Sequence, residues 1–321
     1  MGVLAPGSQR RTLEELLDRV DLDHGDVRAK RSAFWLMLAL SSVIAVSGVI
    51  GDSTATVIGA MIVAPLSVPI LGVGLGIATG RAALIGRSLL LVLAGVALVV
   101  VIGFLTAKLL PNPGDVLANP QVAGRTSPKL MDLTAALATG LVGVIAMIRR
   151  DVGDVLPGVA IAISLVPPLG VVGVCLGSHA PGLALGAFVL FASNMVAMIV
   201  TATIIFVATG YANEAGVGAA RRGRAYAVLA AALTLVAVPM VVNSLSTVWA
   251  DRIAHAARGW LTDVPGAEIT QVTVHSSTAT IEVLAPADLP PVDQLQKQVE
   301  DLVPWHPRVV VVHTVGSRTQ N

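Results

Sequence analysis

Residues 57–76 read VIGAMIVAPLSVPILGVGLG. Apart from Ser67 every residue is apolar or small, the composition of a membrane span, yet Pro65, Pro69 and a crowd of glycines stand inside it. Lipid offers a backbone N–H or C=O no hydrogen-bond partner, so a span is normally an unbroken helix. Proline removes a donor and disrupts the preceding turn. Backbone freed in this way survives at membrane depth only where protein buries it or where it lines a wet cavity.

The rest of the chain shares that solvent. Hydrophobic residues make up 55% of the 321, charged residues only 13%, and mean hydropathy is +0.80; soluble domains carry roughly 25% charged residues. Seven apolar segments, 34–51, 54–79, 83–110, 131–148, 155–177, 182–209 and 225–248, approach the ~20 residues that a spanning helix needs. The lone cysteine, Cys175, allows no disulfide framework. Residues 1–33 contain TLEELLDRVDLDHGDVRAKR, a short amphipathic helix ending in a basic cluster and expected to be a solvated cytoplasmic lead-in. The first apolar run begins near Phe34, after a long charged segment, and lacks a small-residue cleavage site, which argues against a removable signal peptide.

Counting Lys and Arg on alternate sides sets the orientation. One side carries Arg10, Arg11, Arg19, Arg28, Lys30, Arg31, Arg81, Arg87, Arg149, Arg150, Arg221, Arg222 and Arg224; the other carries Lys108, Arg125 and Lys129. The expectation is an inner (plasma) membrane protein with its N-terminus cytoplasmic. Treating 54–79 as re-entrant would move Arg81 and Arg87 outside, so a broken span is the better reading. The stretch 111–130, which opens with PNPGDVLANPQVAGRTSPK, then becomes an extracytoplasmic loop rich in turn residues. Residues 249–321 become an extracytoplasmic domain. There, 268–274 and 278–284 alternate as strands, 291–303 has helix spacing, and 308–315 is a strand. With the amphipathic segment 246–260 in front, the order is α-β-β-α-β.

The two Pro-containing segments form a pair. At an offset of 102, residues 51–82 overlay 153–184 with eight identities over 32 positions, among them Gly51-Asp52 on Gly153-Asp154 and Pro65 on Pro167. Each copy is second in a unit of three segments, 34–110 and 131–210. An odd number of spans per unit turns the second copy upside down, giving a 3+3 inverted repeat, and Pro/Gly-interrupted segments in matching positions point to a transporter's binding site. The expected fold is thus an all-α polytopic membrane protein with two Pro/Gly-broken helices in an inverted repeat, plus a small C-terminal α/β domain.

At these stretches the sequence resembles the DUF389 family of prokaryotic hydrophobic membrane proteins, through VIGAMIVAPLSVPILGVGLG at 57–76, LPGVAIAISLVPPLG at 156–170 and FVLFASNMVAM at 188–198. The resemblance covers roughly 33–210. It implies a multispan membrane protein and carries no activity with it. Where the family pattern often has Asn-Ser this chain has Asp52-Ser53, so no shared role attaches to that position.

The pathway candidates are Pro65, Ser67, Pro69, Ser164, Pro167, Pro168 and Asn194, with Asp52 and Asp154 at the mouths. Prolines free carbonyls, serines offer hydroxyls or bond back to their own helix, and Asn194 is an amide that needs a partner across helices. Asp52, ahead of Ser53 and Thr54, also suits a helix cap. Enzyme readings fare worse. The Gly-Asp pairs lack the Gly-x-Gly-Asp element of intramembrane aspartyl proteases, and in an inverted repeat they face opposite sides. The six histidines lie outside the spans without metal-ligand spacing, and GLGIATG at 74–80 sits in a membrane segment rather than a nucleotide loop. The expected function is a transporter or channel for a small polar solute or ion, a homo-oligomer in the lipid bilayer, not an enzyme, with no cofactor, metal or nucleic-acid partner. The alternative is a sensor or assembly scaffold whose exported domain binds a partner.

Overall fold

The first helix is written in a capping box. The Thr12 hydroxyl accepts the Glu15 N–H at 3.2 Å, while the Glu15 carboxylate accepts the Thr12 N–H at 3.2 Å. Behind it runs α1 (Leu13–Val20), whose Leu16, Leu17 and Val20 share one face and are buried. The computed structural model describes residues 8–152, 165–216, 218–262, 264–275, 278–286, 289–303 and 306–316. They divide into two units, Met1–Met240 and Val241–Asn321.

In the first unit α1 packs against α4, so the N-terminal segment is part of the core rather than the solvated lead-in that the sequence suggested. The helix α2 (Val27–Ile50) begins behind Asp26, whose side chain accepts the Ala29 N–H, seven residues before the apolar run. Next come α3 (Thr54–Val63) and α4 (Ser67–Thr79), bent by 49° across residues 64–66. After α5 (Ala82–Lys108) the expected loop holds a short 3-10 turn and α6 (Pro120–Thr126). Pro120 sits at the first helical position, where its missing N–H costs nothing, and the Asn119 side chain caps the helix. The unit continues with α7 (Leu130–Ile148), α8 (Val166–Gly177), α9 (Pro181–Ala208), α10 (Tyr211–Glu214) and the first part of α11 (Ala219–Trp260), which passes Met240 into the second unit. Among the described residues α2, α5, α7, α9 and the Tyr226–Trp260 part of α11 are long and apolar enough to cross a membrane, and α3 with α4 would make a sixth.

Helix bounds recur along the unit. The pair α2 and α7 ends at Ile50 and Ile148, α4 and α8 start at Ser67 and Val166, and α5 and α9 run 82–108 and 181–208. The spacing is 98 to 100 residues, whereas the ungapped sequence overlay uses 102. That overlay sets Pro65, which lies in the bend, against Pro167, which lies in the first turn of α8. At 98 the strings VPILGV (68–73) and VPPLGV (166–171) coincide, a slip of about one helical turn.

Packing alternates in the same way. The helices α4 and α8 each lie against both α5 and α9. Glycine makes both approaches possible. A Cβ on Gly103 of α5 would stand 2.6 Å from the Gly170 carbonyl oxygen of α8, and one on Gly74 of α4 would stand 2.6 Å from the Ala202 Cβ of α9.

Among the described residues the ion pairs gather at one end. There Arg150 pairs with Glu15 at 2.7 Å, Arg87 with Asp21 at 3.2 Å, Arg10 with Glu214 at 2.6 Å, and the Arg11 N–H donates to the Ile148 carbonyl at 2.8 Å. At the opposite, loop end the Asn119 side chain donates to the Val49 carbonyl at 2.9 Å and the Ser178 hydroxyl to the Pro113 carbonyl at 2.9 Å.

The second unit is built on a three-stranded sheet: β1 (Glu268–His275), β2 (Thr278–Ala285) and β3 (Arg308–Val315), in that spatial order. The first pair is antiparallel; the second is parallel, with Thr280 opposite Val310, and is connected through α12 (Val292–Leu302). Ile281 and Val283 of β2, Leu295 and Val299 of α12 and Ile253 and Trp260 of α11 share its core. The α-β-β-α-β order is as expected. The helical segment 246–260, however, continues the apolar run before it as one helix.

A Cβ on Gly173 would collide with the Val100 carbonyl, whereas one on Gly182 meets nothing within 4 Å. Gly173→Ala should therefore cost about 1–3 kcal/mol through overpacking, and Gly182→Ala should cost little. Unfolding midpoints of the two variants in detergent measure the contrast.

Candidate functional site

Two cavities meet the bent pair α3–α4. One, of about 510 Å³, is bounded by Asp18 and Arg19 of α1, Lys30 and Phe34 of α2, and Pro65 and Val68 at the bend. The other, of about 310 Å³, is lined by Met61 of α3, Arg125 of α6, Asp132 of α7, Pro168 of α8 and Asn194 of α9. The first lies toward the charged end and the second toward the loop end, as their partners show. Residues 61–65, the last turn of α3 and the bend, stand between the two. Pro65 has no N–H to donate to the Met61 carbonyl. Leu66, fully buried in the bend, closes it laterally against Leu38 of α2 and Gly95 of α5.

Ion pairs hold the wall of the charged-end cavity. Lys30 Nζ donates to the Asp18 carboxylate at 2.6 Å and to the His24 carbonyl at 2.8 Å, and the bond from Lys30 holds the Asp18 carboxyl below its ordinary pKa. Arg150 lowers Glu15 in the same way. Behind them the Tyr211 hydroxyl donates to the Arg11 carbonyl at 2.7 Å, and burial pushes its pKa up to about 12.

In the loop-end cavity Arg125 is anchored by a relay. Its Nη1 donates to the Gln121 carbonyl at 2.6 Å and to Gln121 Oε1 at 2.9 Å, and Gln121 Nε2 donates to the Thr54 hydroxyl at 2.8 Å. Burial lowers the pKa of the guanidinium, which stays charged all the same. Asp132 accepts the Lys129 N–H at 2.7 Å at the start of α7.

Of the sequence candidates, the structure brings Pro168 and Asn194 together in the loop-end cavity and places Pro65 on the other. Pro167 is buried beside Pro168 in the first turn of α8. Ser67 is half-buried and Pro69 buried in the first turn of α4, and neither lines these two cavities. Asp52 is exposed in a left-handed turn at φ 49°. The cap of α3 is Ser53, whose hydroxyl accepts the Thr56 N–H at 3.3 Å, not Asp52. Asp154 and Ser164 lie outside the described residues. The sequence reading missed Arg125 and Asp132 as site residues, counting Arg125 only as a loop cation. The signal that marked α6 was Asn119-Pro120, a cap followed by a first-position proline.

Comparison with known proteins agrees with this core. Residues 61–200 match the model of DUF389, described as a domain of unknown function. A stretch of 175 residues, 54% of this chain, is 32% identical to an uncharacterized protein of Methanocaldococcus jannaschii and covers 53% of it. The chain thus matches about half the length of that relative. No solved structure matches the chain.

The lowered pKa values of Glu15 and Asp18 have a consequence for α1. Their contribution to docking is present above the unfolded carboxylate pKa of about 4 and is lost as pH falls through the lower folded values. Tyr211 runs the other way: its contribution is complete below its unfolded pKa of about 10 and is lost as pH rises through about 12. Amide-exchange protection of residues 13–20 should hold from about pH 5 to about pH 9, by these values, and fall below about pH 4.

Proposed function

We propose that the first unit carries a small polar solute or ion across a membrane, along a pathway between two proline-broken segments of an inverted repeat. The observation that carries this reading is the pair of cavities that reach residues 61–65 from opposite ends of the helix bundle. A pathway with one internal partition is what an alternating transporter or a gated channel requires, with irregular backbone at the partition and covered by protein.

The recurring helix bounds support the repeat. The bent pair starts at Thr54, which bonds Gln121 at the loop end, and its chain continues to Arg87, which pairs with Asp21 at the charged end. The other copy leaves the charged end after Arg150 and finishes near Ser178 at the loop end, so the two run in opposite directions. In this reading the Pro65 bend and the Pro168 turn of α8 flank the solute, Asn194 lies deepest, the charged end faces the cytoplasm, and residues 249–321 lie outside it. The family and relative that match this core carry no named activity, so the reading rests on geometry.

A companion role for the second unit is favoured by Val310, Val312 and Val315, exposed on the edge strand β3. An open edge of this kind suits docking of a partner strand or subunit. Deleting 262–321 should abolish assembly while leaving solute binding by the first unit.

The pathway is tested by accessibility. In a Cys175→Ala background, a membrane-impermeant maleimide should label Met37→Cys, on the charged-end cavity, from one face of the membrane and Ala135→Cys, on the loop-end cavity, from the other. Labelling of both from one face would sink the partitioned pathway. Pro65→Ala, which returns a donor to the Met61 carbonyl, should slow flux of inorganic ions or small zwitterions in proteoliposomes by about tenfold, the equivalent of ~1.4 kcal/mol, and Pro167→Ala should slow it as well.

A further inference from the structure

We propose that the solute held in the loop-end cavity is a small anion, with the Arg125 guanidinium as its counter-charge. The inference rests on the pathway reading above and deepens it, because it names the charge class of what the cavity takes.

Arg125 differs from the ion-paired cations of the charged end. There Arg10, Lys30, Arg31, Arg87, Arg149 and Arg150 each reach a carboxylate within 4.0 Å. Among the described residues Arg125 bonds only the neutral carbonyl and amide oxygens of Gln121, both through Nη1. Its Nε and Nη2 make no hydrogen bond among the described residues, and the residue lines the cavity. A half-buried cation without an opposite charge is costly, and a guanidinium fork matches an oxyanion or a halide. The Gln121–Thr54 relay keeps it from snorkelling to solvent.

Asp132, the carboxylate on the same cavity, does not neutralise it. No ion pair joins the two among the described residues, and Asp132 is engaged at the start of α7 by the Lys129 N–H. Burial is the only influence resolved on the guanidinium, with no attraction from Asp132. Asn194 lines the same cavity. A volume of about 310 Å³ holds a small anion with part of its hydration shell, a water occupying ~30 Å³. Asp132 then acts against the anion, which keeps binding weak enough for release.

The test uses the full chain purified in detergent, with its unfolding midpoint titrated by sodium chloride, nitrate and acetate at constant total sodium. At least one of these anions should stabilise saturably. Arg125→Gln should weaken its apparent Kd about tenfold or more, Arg125→Lys less, and Asp132→Asn, which keeps a helix-start acceptor, should tighten it. Lys108→Gln, a cation at the same end that bonds His179, should leave it unchanged. Stabilisation that tracks none of these anions, or that is equal in Arg125→Gln and wild type, overturns the proposal. The cysteine-labelling pattern is independent of the anion, so opposite-face labelling with no anion effect leaves the pathway and removes only this inference. Same-face labelling with an Arg125-dependent anion leaves a binding site without a pathway.

Discussion

The constraint on which the first unit depends is the need to cover backbone that proline has released. At residues 64–66 the chain cannot continue its helical hydrogen bonds, because Pro65 has no donor for Met61 and Pro69 none for the preceding turn. Protein covers the bend from several sides. Leu66 is seated on Leu38 and Gly95, and α1 is laid along α4, where the Val20 carbonyl comes close to Gly72. The glycines of α5 and α8 serve the same end, since their missing side chains let α5 lie almost backbone-to-backbone against the helix that carries the other prolines.

Once the bend is held in this way, its two faces diverge. Met61 turns to one cavity and Val63 and Pro65 to another, so a single helical turn separates two spaces that open toward different ends. The charged end holds the ion pairs; the loop end offers Arg125, whose partners among the described residues are neutral oxygens of Gln121. This asymmetry gives the two cavities different chemistry: the first is walled by the Lys30–Asp18 pair, and the second presents an anchored guanidinium beside a buried amide.

Much of this was legible before folding, and for identifiable reasons. Pro65 marks the bend because proline's missing N–H is a local, context-free fact. The alternate placement of Arg and Lys foretold which loops gather at one end, because charge is sorted by solvent. The strand alternation of 268–284 gave the sheet. Other features were hidden. The face of Leu16, Leu17 and Val20 is visible as amphipathic, but its partner α4 lies far along the chain. The overlay at 102 chose eight coincidences among abundant small residues, whereas the helix bounds select 98 to 100. The run 111–129 reads as turns because the residues that order α6, such as Gly186 against the Thr126 carbonyl, are remote in sequence.

By itself the sequence determined the apolar solvent, most of the apolar spans, the bend at Pro65 and the order of elements in the C-terminal unit. All of these come from residue chemistry over windows of about twenty residues or fewer. Only the tertiary structure decided that Arg125, Asp132, Pro168 and Asn194 share one cavity, that Asp52 is a turn residue while Ser53 caps α3, and that the N-terminal helix is core. Those outcomes depend on which helices approach closely enough to exclude one another's side chains, and that is set jointly by glycines and carbonyls on segments widely separated in sequence.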